Sequence, residues 1–412
     1  MSDWIVKNKG AGPMNFNFTG QGDKFGYQNN PMWTPNPSSE SIHEPCGHWH
    51  KVPLIQTQII TYASFMDYTQ AVKLLKLKDG ILSILNIKSP ASGASETRTV
   101  IKYHGGKLFV AYGDWNASRN ASDLILSTSI DEGTTWSHIV VDNTHNVWGD
   151  VDIQVISLDE IYISYNIYIA GQYALWFAKS TNGGTSWTKT QIWIGTLGGK
   201  SRMAVKGQNI YIPFIDYNIN YLKFISSNDG GSSWNAVVDI DTDGYVISDY
   251  FSFYALDANN LFVAYMDNFT PSLCISKSNN GGVSWTKKTV ADEMIPGWAA
   301  ESIIARSEQE LYVLFANRST FEIKRAKTVN GGDSWTLTNP FVDLINYPMD
   351  SSICFGNNLL FFVYNRINSV TGNKELAVAI STDYGEIWSV VYVVHNIVLK
   401  DYSFSIVGYY GL

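Results

Sequence analysis

The sequence predicts an all-β fold: a single seven-bladed β-propeller of four-stranded antiparallel blades, closed by a C-terminal strand that pairs with N-terminal strands. Three observations predict it. An eight-residue turn pattern recurs six times at a spacing near 50 residues, the period of a propeller or solenoid. Each repeat divides into four short segments whose alternating hydrophobicity marks strands. The two ends of the chain supply complementary parts of one further unit; six blades is the alternative count if those ends pack elsewhere.

Residues 1–50 stand outside the repeats. They carry Gly10, Gly12, Gly20, Gly22 and Gly26, then Pro31, Pro35 and Pro37, which reads as an extended arm ahead of a propeller over residues 51–412. Residues 54–66, 71–78 and 81–87 read as strands B, C and D of a unit that lacks strand A, with Asp79-Gly80 as a tight hairpin turn.

The recurring pattern then begins: Ser or Thr, any residue, Asp or Asn, any residue, Gly, two of any, Trp. It appears as Ser129-Asp131-Gly133-Trp136, Ser180-Asn182-Gly184-Trp187, Ser227-Asp229-Gly231-Trp234, Ser278-Asn280-Gly282-Trp285, Thr328-Asn330-Gly332-Trp335 and Ser381-Asp383-Gly385-Trp388. The carboxylate or amide accepts hydrogen bonds from nearby backbone N–H groups, and glycine supplies a positive φ. Tryptophan then starts the next strand. This pattern is identified as the Asp-box, or BNR repeat, and its role is structural.

Residues 201–240 show one unit. Ser201–Lys206 is strand A, Asn209–Phe214 is B, Tyr221–Ser226 is C and Trp234–Ile240 is D, with the Asp-box as the C–D hairpin. Asp401–Val407 reads as a strand A with nothing after it. Joined to the N-terminal B, C and D, it removes the open edges of the ring. The end of strand B holds an aromatic residue in all seven units: Phe65, Tyr112, Tyr165, Phe214, Tyr265, Phe315 and Tyr364.

A net charge of −8 argues against nucleic acid and anionic membrane surfaces as partners. No segment has the length and apolarity of a membrane span, and the N-terminus shows no signal peptide, so the compartment stays open, with a virion or an extracellular surface as the expectation. Three scattered cysteines do not form a disulfide framework. His43, Cys46, His48 and His50 crowd one stretch of the arm, where Cys46, His48 and His50 are candidate ligands for zinc or copper.

Chemistry is expected where the D–A and B–C loops rim one mouth of the channel. Two residues past the strand-B aromatic stand Asp67, Asp114, Ile167, Asp216, Asp267, Asn317 and Arg366; near the start of strand A stand Arg98, Asp152, Arg202, Asp249, Glu301, Asp350 and Asp401. The chain has only seven arginines, and Arg98, Arg202, Arg318 and Arg366 fall at or beside these positions. Their planar forks suit a carboxylate, hence an acidic sugar.

The stretch Thr97–Val100, then Lys107–Tyr112, Ser122–Ser127 and the first Asp-box resembles the opening blade of sialidases. The resemblance implies three arginines against a substrate carboxylate, a Tyr–Glu pair as nucleophile and activator, and an aspartate as acid/base. In order along this chain it points to Arg98, Arg318 and Arg366 as the arginines. Glu301 would activate Tyr402 as the nucleophile, and Asp114 or Asp123 would be the acid/base. Fold does not fix function. The favoured expectation is a glycan-recognising propeller, a carbohydrate- or receptor-binding subunit of a larger assembly such as a virion, tail or surface filament, docked through its arm. The alternatives are a sialidase-like exo-glycosidase, for which these residues would be catalytic, and a structural scaffold that binds other proteins.

Overall fold

The computed structural model describes residues 59–410, apart from 67–70, 79–80, 90–98, 170, 196–197, 217–218, 243–250, 268, 270–271, 293–300, 318–321, 340–350, 357–358, 368–373, 382–388 and 395–404. The arm of residues 1–50 therefore lies outside the described residues, and with it Cys46, His48 and His50.

Every described element is a strand. Blade one holds β1 (Ile59–Met66), β2 (Val72–Lys78) and β3 (Ile81–Lys88). Blade two is β4 (Val100–His104), β5 (Lys107–Asn116), β6 (Ala121–Ser129) and β7 (Ser137–Asp142). Blade three is β8 (Asn146–Val155), β9 (Ile161–Ile169), β10 (Gln172–Ser180) and β11 (Thr188–Gly195). Blade four has a divided first strand, β12 (Gly198–Ser201) and β13 (Ala204–Lys206), then β14 (Asn209–Asp216), β15 (Tyr221–Ser227) and β16 (Val238–Asp241). Blade five is β17 (Phe251–Ala255), β18 (Leu261–Asp267), β19 (Ser272–Ser278) and β20 (Thr286–Ala291). Blade six is β21 (Glu301–Ala305), β22 (Leu311–Asn317), β23 (Glu322–Thr328) and β24 (Thr336–Thr338). Blade seven is β25 (Ser351–Gly356), β26 (Leu359–Ile367), β27 (Lys374–Ser381) and β28 (Ser389–Val394), and β29 (Ser405–Tyr410) follows.

These strands form seven antiparallel sheets, and β29 supplies the first strand of blade one, paired with β1 from Ile59↔Tyr410 to Ser64↔Ser405. The first strand of each blade lies against the first strand of the next: β4 by β8, β8 by β12, β13 by β17, β17 by β21, β21 by β25, and β29 by both β25 and β4. Burial follows from that stacking. The middle strands β6 and β18 are buried along their whole length, because neighbouring blades cover both faces, while the outer strand β7 is mostly exposed. The core lies between blades. One cluster joins Phe109, Leu124 and Leu126 of blade two to Ile153, Ile163 and Ala174 of blade three. Each such side chain contributes roughly 2 kcal/mol by its buried area.

Among the described residues the Asp-box turns share their Ser/Thr, Asp/Asn and Gly bonds. In the first, Ser129 Oγ donates to Asp131 Oδ1 (2.7 Å) and accepts from Gly133 N (2.9 Å), and Thr135 N donates to the same Asp131 oxygen (2.9 Å). Trp136 Nε1 donates to Gly133 O at 3.0 Å. The tryptophan precedes strand D rather than starting it, because its indole folds under the turn.

Three boundaries differ from the sequence expectation. Strand A of blade four breaks after Ser201. Arg202 N still donates to Pro213 O of β14 (3.1 Å), but Met203 N turns away to Asp152 Oδ2 of blade three (2.8 Å), and pairing resumes at Ala204↔Tyr211. Strand D of that blade starts at Val238, not Trp234; Asn235 binds Ser226 through both its N–H (to O, 2.8 Å) and its side-chain amide (to Oγ, 3.0 Å) before pairing resumes. The C-terminal strand is described over Ser405–Tyr410 and so extends past the expected end at Val407, while residues 401–404 lie outside the described residues.

Candidate functional site

Of the residues expected at the mouth, Arg98, Arg318 and Tyr402 lie outside the described residues. Glu301 opens β21 opposite Phe315, and Arg366 stands in β26 opposite Glu375 of β27. Asp114 and Asp123 are fully placed, and they are brought together: they are direct partners across β5 and β6. Directly opposite side chains share one face of a sheet, so two carboxylates there need compensation. Asp123 is contacted by the Arg119 guanidinium and by Asn116 Nδ2 (2.8 Å), and Asp114 pairs with Lys88 of blade one at 3.1 Å.

Arg202 and Asp152 serve the inner strands. The Arg202 guanidinium bonds the fully buried Asp150 and stands 5.4 Å over the Phe251 ring. Asp152 accepts from Ile153 N (2.8 Å) and from Met203 N of blade four. Burial raises its carboxyl pKa, against the pull of Lys102 and Arg202. Ser252, its counterpart in blade five, accepts from Ile303 N of blade six at 2.9 Å. These side chains stitch blade to blade.

A second network crosses the seam of blades two and three. The buried carboxylate of Asp142, at the end of β7, accepts from Tyr165 Oη of β9 (2.9 Å), Lys189 Nζ of β11 (3.0 Å), and Thr144 N (2.9 Å) and Oγ1 (2.6 Å). His145 Nδ1 lies 2.7 Å from its other oxygen. Burial works to raise the Asp142 pKa, but the bonds from Thr144, His145 and Lys189 outweigh it and hold the carboxyl well below its ordinary range. The His145 ring packs on Trp176 of β10 with centroids 4.3 Å apart, and Arg119 donates to His145 O at 3.1 Å. The half-buried rim of this seam thus carries the Arg119 guanidinium, the Asn116 amide, an imidazole and an indole from three separate segments.

The sequence expectation missed Asp142, His145, Arg119 and Trp176. The spacing of Asp142 and His145 was a weak signal available in the chain; the Trp176 contact had none. Among the described residues no group of three or more His, Cys, Asp or Glu could hold a metal ion. Among the described residues no helix is long and apolar enough to cross a membrane.

The BNR repeat-like domain family matches residues 213–407. The chain is a β-propeller with Asp-box repeats, and a little under half of it resembles the BNR repeat-like family. Solved structures similar to this propeller include an ulvan lyase of a polysaccharide lyase family bound to -[GlcA(1-4)Rha3S]-, 10% identical, with 85% of this chain and 91% of that chain covered and a TM-score of 0.51. A Hadza microbial sialidase is 15% identical over 71% of this chain and 70% of its own, with a TM-score of 0.46. The endosialidase of phage phi92 is 12% identical over 77% and 63%, with a TM-score of 0.43. No curated protein matches the propeller's sequence.

Proposed function

We propose that this propeller recognises glycans at the mouth of its channel, as a carbohydrate- or receptor-binding subunit of a larger assembly such as a virion, tail or surface filament. The observation that carries this is the seam of blades two and three, where Arg119, His145 and Asn146 stand with Trp176 on a partly exposed rim. Sugar recognition uses that mixture, with fixed polar groups for the hydroxyls and a flat ring for the apolar face. The ulvan lyase of shared fold is itself bound to a saccharide, which agrees with this use of the architecture. Repeated copies in an assembly would turn weak contacts into avidity.

A second reading is an exo-glycosidase of sialidase type. Asp114 and Asp123, either of which could serve as its acid/base, stand side by side across β5 and β6. One experiment separates the two. The native chain is screened on a glycan array and incubated with a fluorogenic sialoside, and both assays are repeated with Arg366→Ala and Tyr402→Phe. Array binding without turnover is the expected result. Turnover that both substitutions abolish would establish the enzyme instead, and neither binding nor turnover would end both readings.

A further inference from the structure

The Asp–Tyr–Lys core of the Asp142 network recurs in the molecule. At the seam of blades four and five, Asp241 accepts from Tyr265 Oη (2.7 Å) and pairs with Lys287 (2.8 Å), as Asp142 does with Tyr165 and Lys189. The aspartate closes strand D, the tyrosine stands fifth in strand B of the next blade, and the lysine stands two residues after that blade's box tryptophan, Trp187 or Trp285. Tyrosine and lysine thus recur as the aspartate's cross-blade ties. The loop after Asp241, residues 242–250, contains no histidine. His145 is therefore an addition to a packing unit that recurs without it.

Its ring is fixed in a defined state. Asp142 is ionised and can only accept, so His145 Nδ1 carries the hydrogen and Nε2 keeps its lone pair while the ring is neutral. Trp176 braces the ring, and Arg119 and Thr144 hold its loop. The next residue, Asn146, is fixed in the opposite sense: Ser122 N donates to its Oδ1 at 2.8 Å, which assigns the other terminus as Nδ2. Among the described residues no hydrogen bond uses His145 Nε2 or Asn146 Nδ2. Both residues are half-buried.

We propose that His145 and Asn146 form a saccharide subsite for a neutral vicinal diol. One ring hydroxyl donates to His145 Nε2, and the neighbouring hydroxyl accepts from Asn146 Nδ2. An acceptor and a donor on consecutive residues match the complementary needs of adjacent hydroxyls. The subsite rests on the glycan reading and adds to it a place and a chemical class.

Two substitutions test it on the full chain. Asn146→Asp keeps the acceptor for Ser122 N and removes the donor. His145→Phe keeps a ring on Trp176 and removes Nε2. Binding of cellobiose, galactobiose and arabinobiose is followed by titration, with the His145 ring nitrogens observed by long-range proton–nitrogen NMR. A bound disaccharide is expected to shift the Nε2 resonance, and each substitution should weaken binding about tenfold, the loss of one well-placed hydrogen bond, with the thermal transition retained. If array binding persists while the Nε2 signal stays still, or Asn146→Asp binds as the native chain does, the subsite is wrong and the glycan reading stands. If no saccharide binds in any assay, both fall.

Discussion

Asp131 and Asn182 occupy the same box position with different chemistry. Asp131 Oδ2 accepts from Thr135 Oγ1 at 2.6 Å, whereas Asn182 Nδ2 donates to Ser186 Oγ at 2.8 Å. The hydroxyl reverses its role and the turn keeps its shape, so the box tolerates either residue; only the carboxylate boxes respond to acid. The Thr135 side chain and N–H, with Ser129, lower the Asp131 pKa to about 2, and Ser233 with Ser227 does the same for Asp229. A carboxyl in the unfolded chain titrates near about 4. These groups therefore stabilise the fold fully above about pH 4, and the contribution is lost as pH falls through about 2. The double substitution Asp131→Asn with Asp229→Asn should flatten the melting temperature over that interval relative to the native chain, read by circular dichroism. Equal slopes for the two proteins would contradict the assignment.

Between elements, the boxes act as wedges. Gly282 has φ +91°, and a Cβ there would lie 2.1 Å from Phe224 Cε1 of the preceding blade. Trp285 meets the same phenyl ring edge-on at 5.2 Å. Gly282→Ala combines left-handed backbone strain with overpacking, about 3 kcal/mol together. Gly106→Ala has a similar φ of +81° but nothing within 4 Å, so only the backbone part, about 1 kcal/mol, should appear. Denaturant unfolding of the two variants measures the difference. Adding Phe224→Leu to Gly282→Ala should recover part of the loss, since the clash is with the ring.

For the whole molecule, the pairing of β29 with β1 decides whether blade one has an unsatisfied edge. Deleting residues 405–412 strips Ile59–Ser64 of its ladder partners and uncovers first-strand faces toward β25 and β4. The expected outcome is loss of the single cooperative unfolding transition and a shift toward aggregates in size-exclusion chromatography, because an open edge invites intermolecular pairing. A truncated chain that melts as the native one does would show that the last strand contributes little.

The turn pattern, its period and the four-strand unit were legible because their hydrogen bonds close within eight residues and their hydrophobic alternation is local. Ser129, Asp131 and Gly133 make the same bonds that their spacing implies. The break at Arg202-Met203 was not legible, since its cause, the carboxylate of Asp152, comes from another blade. The same holds for the candidate site. Asp114 could be named from its place two residues past the strand-B aromatic and Asp123 from the family resemblance, but the environment of His145 could not. Asp142, Tyr165, Trp176 and Lys189 meet it from four strands across a blade seam, and the packing angle between blades leaves no trace in sequence periodicity. By itself the amino-acid sequence determined a β-propeller of Asp-box repeats, because that follows from short-range chemistry repeated. Only the tertiary structure decided which side chains share a rim, because that depends on how whole sheets stack.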